Sequence, residues 1–410
     1  MYLKLVLLLA KLAGSLSRAL KQGNGVMVAG RVIMNLAPNA VVELSVGKRV
    51  VLISGTNGKS TTAKLIAEAL KSKYSVAHNH TGANLFAGVV AALGAAPDAD
   101  VAVLEVDEMV LPWAMQRTKP EILVLLNLGR DQLDRLAEVR IVANKWRSAL
   151  ESIPGEDLKV LASTDDPFVV FAASAAQKII WFSPSDKGHL DAATCPKCGA
   201  LLHWSEGGTN YWCNCGFAKP EAQWILEGNS LNSIDSAINH NPTQTLVKSA
   251  IPGRAALQNA ARALIVARYL GVDLEAANQA ISRIDAVDGR FANKKIGETN
   301  FRLLLSKNPA SWRETLATSA SGPNSVLLSV NANTQDGKDT SWLWDVDFKP
   351  LTGRRVLVTG DRRVDVSARL TVDGIVHEIV DDESVAAQRF GAVDADLIAS
   401  YTAFHRLANQ

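Results

Sequence analysis

The chain has 410 residues, enough for two or three domains with complete hydrophobic cores. Its 43 Lys and Arg stand against 41 Asp and Glu, a net charge of +2, and 20% of its residues are charged. That balance gives no footing for nucleic-acid binding or a polybasic membrane anchor, which need a concentrated positive field.

Residues 1–48 read as mostly helical. The run Met1-Tyr-Leu-Lys-Leu-Val-Leu-Leu-Leu-Ala-Lys11 is apolar. Lys4 falls close to the end of the run at Leu9, Lys11 and Arg18 interrupt the residues beyond it, and no small-residue cleavage site is present. A signal peptide is therefore not expected, and the run is too short to span a bilayer. An amphipathic helix packed on the protein is the expected form, with transient rest on a membrane surface as the alternative.

An apolar strand is expected at Arg49-Val-Val-Leu-Ile-Ser54, followed by Gly55-Thr-Asn-Gly-Lys-Ser-Thr-Thr62 and a helix beginning near Thr61. Strand, glycine loop, lysine and hydroxyls in this order form a loop that cradles the phosphates of ATP. The candidate ATP-binding residues are Gly55, Thr56, Asn57, Gly58, Lys59, Ser60 and Thr61. Lys59 supplies a cation, Ser60 can hold Mg²⁺, and the helix adds its positive end. The general pattern places a glycine five residues before the second one, where this chain has Ile53. The shorter Gly-Thr-Asn-Gly-Lys-[Ser/Thr]-Thr form is more restrictive and points toward amide-bond-forming ligases.

Further strands are expected at 101–106, 121–127, 157–162 and 178–182, with helices between them. This alternation predicts an α/β domain with a doubly wound, mostly parallel sheet that binds ligands at the carboxyl ends of its strands. Glu105 ends one strand, where a carboxylate suits Mg²⁺ or simply caps the strand. Asp131 and Asp134, in Asn127-Leu-Gly-Arg-Asp-Gln-Leu-Asp-Arg135, can equally belong to a solvated helix start.

All four cysteines fall in two close pairs, Cys195-Pro-Lys-Cys198-Gly and Cys213-Asn-Cys215-Gly. Two such pairs suit one tetrahedral, structural Zn²⁺. Short strands at 200–204 and 209–213, with Glu206-Gly-Gly between them, complete a zinc ribbon inserted at about 193–218. Two disulfides are the alternative, disfavoured without an export signal. His189, His203 and His240 read as surface residues rather than ligands. A helical segment at 255–283 and a turn at Asp285-Ala-Val-Asp-Gly289 precede strands at 302–306, 325–330, 355–359 and 375–380. The expected organisation is a helical segment at 1–48, a central ATP-binding domain at 49–288 and a smaller α/β domain at 289–410.

The Gly55–Thr62 loop, Leu104-Glu-Val-Asp-Glu108, Asn127–Arg135 and Asp165-Asp-Pro167 resemble the Mur ligase superfamily. Leu305-Ser-Lys-Asn-Pro-Ala310, Asp336-Gly-Lys-Asp-Thr-Ser-Trp342, Leu343-Trp-Asp345, Ser400-Tyr-Thr-Ala403 and the cysteine pairs narrow the resemblance to its MurT family. Those proteins are synthetase subunits of lipid II isoglutaminyl synthase. The resemblance implies a ligase that uses ATP to phosphorylate the α-carboxylate of D-glutamate in the lipid II stem peptide. Ammonia then displaces phosphate and leaves D-isoglutamine. It implies Mg²⁺ on Ser60 and Glu105, and Asn259 and Arg290 at the nucleotide. It also implies a cytoplasmic heterodimer with a GatD-like class I glutaminase, meeting lipid II at the inner face of the membrane. Asp339 would complete the glutaminase's Cys-His pair as a catalytic residue, although Asp336, Asp345 and Asp347 are not separable from it on physical grounds. The chain departs from the family at Ser60, where threonine is commoner, and at Ala256, Gly129 and Ala292. A folylpolyglutamate-synthetase-like ligase would share the phosphate loop but not the ribbon or the Asp336–Asp345 segment. A zinc-ribbon nucleic-acid-binding ATPase would need a basic, aromatic stripe that the chain lacks.

Overall fold

The computed structural model describes all residues except 1, 21–24, 80–81, 130–138, 154–156, 190, 235–242, 285–290 and 409–410. They fall into two compact units. The first takes the described chain up to Ser249 together with Leu257–Arg283, and the second takes Ala250–Ala256 and the described chain from Ile284 onward.

The strands of the first unit are β1 (Arg49–Ser54), β2 (Val76–His78), β3 (Val101–Glu105), β4 (Ile122–Leu125), β5 (Lys159–Ser163), β6 (Lys178–Ser183), β7 (His203–Trp204), β8 (Tyr211–Trp212), β9 (Trp224–Glu227), β10 (Ser230–Ser233) and β11 (Thr243–Leu246). Apart from the separate β7-β8 hairpin, they form one sheet in the order β11-β10-β9-β6-β5-β4-β1-β3-β2. From β6 to β2 every pairing is parallel. β9 joins β6 in parallel, and β10 and β11 extend it as an antiparallel meander. β3 and β4 are buried along their whole length, as strands covered on both faces must be, which is why they read as unbroken apolar runs.

The helices of this unit are α1 (Tyr2–Ala19), α2 (Val26–Leu36), α3 (Ala40–Ser45), α4 (Lys59–Leu70), α5 (Phe86–Ala95), α6 (Leu111–Thr118), α7 (Val139–Glu151), α8 (Pro167–Ala173), α9 (Arg254–Tyr269, from Leu257 onward) and α10 (Leu274–Ser282). α1 packs on α2, and α2 on α5. Gly30 permits the second contact, because a Cβ there would lie 1.9 Å from the Ala87 carbonyl oxygen. Among the described residues no helix is long and apolar enough to cross a membrane.

The second unit holds β12 (Phe291–Ile296), β13 (Thr299–Leu305), β14 (Ser325–Ser329), β15 (Arg355–Thr359), β16 (His377–Ile379) and β17 (Asp394–Ala399), in the order β12-β13-β17-β14-β15-β16. Only the β12-β13 pair is antiparallel. Around this sheet lie α11 (Pro309–Ala320), α12 (Arg363–Val372), α13 (Glu383–Phe390) and α14 (Tyr401–Ala408). Trp312 anchors one side of the core, with ring centroids 6.1 Å from Trp342 and 5.7 Å from Phe348.

The parallel α/β architecture is as expected. Three details differ. The helix after the phosphate loop starts at Lys59, two residues before Thr61, because Gly58 ends the loop in the left-handed region. The 255–283 segment is two helices, separated around Gly271, whose φ is +76°. The strands β2, β9 to β12 and β17 were not anticipated.

Candidate functional site

The phosphate loop is shaped by two glycines and one asparagine. Gly55, with φ +145°, passes so close to the neighbouring chain that a Cβ would lie 2.8 Å from the Leu126 Cβ. Asn127, just past the end of β4, holds the loop open from the side. Its Oδ1 accepts from the Asn57 N–H at 2.9 Å, and its Nδ2 donates to the Asn57 carbonyl at 3.0 Å. Its own carbonyl accepts from the Thr56 N–H at 2.8 Å. Thr56 Oγ1 exchanges bonds with the Gly129 backbone at 3.0 and 3.1 Å.

α4 begins at Lys59 without a side-chain cap, so its first N–H groups face the loop. Lys59 is buried and donates to the Gly55 carbonyl at 2.5 Å and to Glu108 at 2.9 Å. Asn259, on α9, lies against the last glycine of the loop, since a Cβ on Gly58 would sit 3.1 Å from its Oδ1. The structure thus brings Gly55, Thr56, Asn57, Gly58, Lys59, Ser60, Thr61 and Asn259 together. Arg290, Asp131, Asp134 and His240 lie outside the described residues.

Glu105 closes β3 beside β1, paired in register with Ile53, and is 2% exposed. Asn79 pins its backbone from both sides, donating to the Glu105 carbonyl at 2.7 Å and accepting from its N–H at 2.8 Å. Among the described residues the side chain receives one long bond, from Asn84 at 3.3 Å to Oε1, and Oε2 is buried without a hydrogen-bond partner. A buried carboxylate oxygen in this state is costly unless a cation or donor joins it. The 82–84 segment also passes Ser60, whose hydroxyl would lie 3.8 Å from a Cβ on Gly82. A hydroxyl and an under-satisfied carboxylate on oxygen-only chemistry fit Mg²⁺. Among the described residues the Thr62 hydroxyl is likewise buried without a partner.

Two neighbouring carboxylates brace this region from the turn between β5 and α8. Asp166 caps α8 by accepting from the Phe168 and Val169 N–H groups, and its second oxygen accepts from the Leu128 N–H at 2.6 Å. That bond fixes the residue next to Asn127. Asp165 pairs with Lys219 at 2.7 Å and accepts from Thr164, Ser183 and the Asp186 N–H. Arg262 is buried with its guanidinium 5.0 Å from the Phe182 ring centre and donates to Asn259 Oδ1 at 3.4 Å. Burial pulls its pKa down to about 10, against the opposing pull of Asp186 and Asp165.

The four cysteines are free thiols gathered at one point, with all sulfurs within 4.8 Å of one another. Cys195 and Cys215 are 3.7 Å apart, and Cys198 and Cys213 are 3.5 Å apart. Sulfurs about 2.3 Å from a tetrahedral zinc would stand roughly 3.8 Å apart, so the cluster fits that ion. Backbone N–H groups point at the sulfurs, that of Phe217 lowering the Cys215 thiol to about 7, whereas burial pushes Cys195 up to about 12. The β7-β8 hairpin beside the thiols lies within the two strands expected at 200–204 and 209–213 but is shorter, two residues on each side. It is anchored rather than free: Tyr211 is buried and donates to the Thr164 carbonyl at 3.0 Å. His203 is exposed and stacks on Trp212, and His189 contacts Asp166 at 3.2 Å, so neither joins the thiols.

In the second unit the aspartates separate by environment. Asp336 is buried and occupied, accepting from the Thr402 N–H at 2.8 Å and the Thr402 hydroxyl at 2.6 Å. Asp339 is exposed, and the Ser341 backbone N–H at 2.8 Å, with the Ser341 hydroxyl, holds its carboxyl below the usual range. Asp345 and Asp347 are also exposed, the latter capping the turn at Lys349. Two departures noted in the sequence have local reasons. Ala256 is buried in the apolar cluster of Ile251 and Trp312, and a Cβ on Gly129 would lie 3.0 Å from Asp191 Oδ2. Sequence reasoning missed Asn79, Asn84 and the side-chain role of Asn127; for Asn79 and Asn127, an asparagine just past a strand end was the available signal.

The Mur ligase middle domain family matches residues 53–267, and the MurT ligase C-terminal family matches residues 305–404. The lipid II isoglutaminyl synthase (glutamine-hydrolyzing) subunit MurT of Staphylococcus aureus (strain N315) is 30% identical over 402 residues, covering 92% of this chain and 89% of its own. The protein of the same name from Streptococcus pneumoniae (strain ATCC BAA-255 / R6) is 28% identical over 415 residues, covering 93% and 91%. Among solved structures, pseudomurein peptide ligase type C from Methanothermus fervidus is similar with a TM-score of 0.65 at 20% identity, covering 89% of this chain and 79% of its own. MurF ligase from Thermotoga maritima in complex with ADP gives a TM-score of 0.62 at 17% identity, covering 93% and 83%. The structural likeness is one of fold.

Proposed function

We propose that this chain, which belongs to the MurT family of Mur ligases, is the synthetase subunit of an ATP-dependent enzyme that amidates lipid II. The observation that carries the reading is the phosphate loop. Its open backbone, buried Lys59 and neighbouring under-satisfied Glu105 suit phosphoryl transfer and occur in a chain similar to MurT nearly end to end.

In this reading the α-carboxylate of D-glutamate attacks the γ-phosphorus of ATP, and ADP leaves. Ammonia then attacks the carbonyl carbon of the acyl phosphate, the C–O bond to phosphate breaks, and the nitrogen loses a proton as the amide forms. A carboxylate is a poor electrophile, and phosphorylation gives it a leaving group. Lys59 steadies the transferring group's charge while the Gly55–Gly58 backbone holds the neighbouring phosphates. Ser60 and Glu105 would hold Mg²⁺, which offsets phosphate charge. Asn259, fixed by Arg262, sits beside the loop for the nucleotide. Zinc on Cys195, Cys198, Cys213 and Cys215 would lock the ribbon whose Tyr211 and Lys219 brace Thr164 and Asp165.

The chain supplies no ammonia of its own. All four of its cysteines are in the thiol cluster, leaving no cysteine nucleophile for glutamine hydrolysis. A separate GatD-like glutaminase is therefore part of the proposal, with Asp339 orienting the histidine of its Cys-His pair. Reconstitution tests it. Lipid II, ATP, Mg²⁺ and glutamine should give amidated product only when chain and glutaminase are both present. Amidation from glutamine by the chain alone would overturn the two-subunit reading.

A further inference from the structure

α1 presents two different faces. One packs inward through Val6, Ala10, Gly14 and Ser17. Gly14 makes the contact with the start of α2 tight, since a Cβ there would lie 3.0 Å from the Gly25 carbonyl oxygen. The opposite face is apolar and open: Leu5, Leu8, Leu9, Leu12 and Leu16 are each between 44% and 61% exposed. Scattered exposed leucines are ordinary, but five along one side of an 18-residue helix are not.

Charge is arranged around this face with equal order. Lys4, Lys11 and Arg18 stand seven residues apart, which is two helical turns, so they form one row along the edge of the leucine face. α1 contains no Asp or Glu, and the first acidic residue of the chain is Glu43. The near-neutral total therefore hides a segregated, wholly cationic beginning. A water-facing helix would carry mixed charges on its outer side. A second copy of the same face would bring three like charges together unless turned away. An anionic bilayer satisfies both parts: leucines enter the acyl boundary and the cations meet lipid phosphates.

We propose that α1 is an interfacial helix that docks this protein on anionic phospholipid bilayers, lying in the membrane plane without crossing it. The proposal stands on α1 alone and does not depend on the identity of the substrate. The test is flotation of the full chain with vesicles of phosphatidylglycerol and phosphatidylcholine, or of phosphatidylcholine alone, at low and high salt. Binding should favour anionic vesicles at least about tenfold and weaken with salt, since each cation near such a surface contributes on the order of fivefold. Leu8→Glu/Leu12→Glu should abolish binding with the circular dichroism and unfolding midpoint unchanged, because both side chains point to solvent. Lys4→Glu/Lys11→Glu should remove the lipid selectivity. Failure of the wild-type chain to float, or indifference to both variants, would overturn the proposal. So would a concentration-dependent dimer that Leu8→Glu/Leu12→Glu dissociates in the absence of vesicle binding.

Discussion

Replacing Asn127 by alanine should weaken ATP binding without unfolding the protein. The amide spans the backbone of Asn57, with bonds of 2.9 Å to its N–H and 3.0 Å to its carbonyl, and both disappear in Asn127→Ala. The main-chain bond from the Thr56 N–H to the Asn127 carbonyl survives, so the loop keeps one of its three ties to this residue. A net hydrogen bond contributes about 0.5–1.5 kcal/mol, so the pair is worth about 1–3 kcal/mol. Asn57 lies in a partly exposed loop, where water can take over both backbone groups once the amide is gone. The loss therefore falls on loop pre-organisation, and ATP affinity should drop roughly 5- to 150-fold. Calorimetric titration with Mg·ATP measures this, and denaturant unfolding of the same variant checks the fold. ATP affinity within about twofold of wild type in a folded variant would refute the reasoning.

The thiol cluster predicts close to one zinc per chain by atomic emission, with loss in Cys213→Ser; wild-type protein free of zinc after growth in zinc-replete medium would count against it. Tyr211→Phe leaves the buried Thr164 carbonyl without its donor and should cost about 1–3 kcal/mol in urea unfolding. Glu121 is held below the usual carboxylate range by its paired bonds from Arg49, so its contribution is complete above the unfolded pKa and is lost as pH falls through the folded one. Both side chains are partly exposed, so Glu121→Gln should be less stable by about 0.5–1 kcal/mol near neutral pH, a gap that closes as the pH falls below the ordinary glutamate value of 4.5. A gap constant with pH would contradict the pairing. Asp339→Asn should stop amidation from glutamine while leaving amidation from free ammonia intact, and failure with both nitrogen sources would remove its assigned role.

The strand and glycine loop at β1 were legible because their signal is local. β1, the glycines and Lys59 are contiguous, and the apolar run of β1 is what a buried parallel strand requires. The thiol cluster was legible because two close cysteine pairs allow few other arrangements. β17 was not, because Asp394 and Asp396 interrupt its sequence. Asp396 is fully buried and tolerable there because Arg302 pairs with it at 2.7 Å, Arg354 lies 3.8 Å away and the Ser319 hydroxyl donates at 2.5 Å. β2 has three residues and sits at the sheet edge, too short for a periodic signal. Asn79, Asn84 and Asn127 show the remaining gap. Nothing local distinguishes an asparagine that clamps a distant backbone from one that ends a strand, since the partners of Asn127 are 70 residues away. Asp336 differs from Asp339, Asp345 and Asp347 in being buried and bonded to Thr402, a difference of environment that the sequence does not carry.

Label transfer tests the central claim most directly. Lipid II carrying heavy oxygen in the α-carboxylate of its D-glutamate is incubated with the chain, its glutaminase partner, Mg·ATP and glutamine. Activation through an acyl phosphate predicts one labelled oxygen in each inorganic phosphate released, in step with amide formation and absent from Lys59→Met. Amidated product accompanied by unlabelled phosphate would contradict the account.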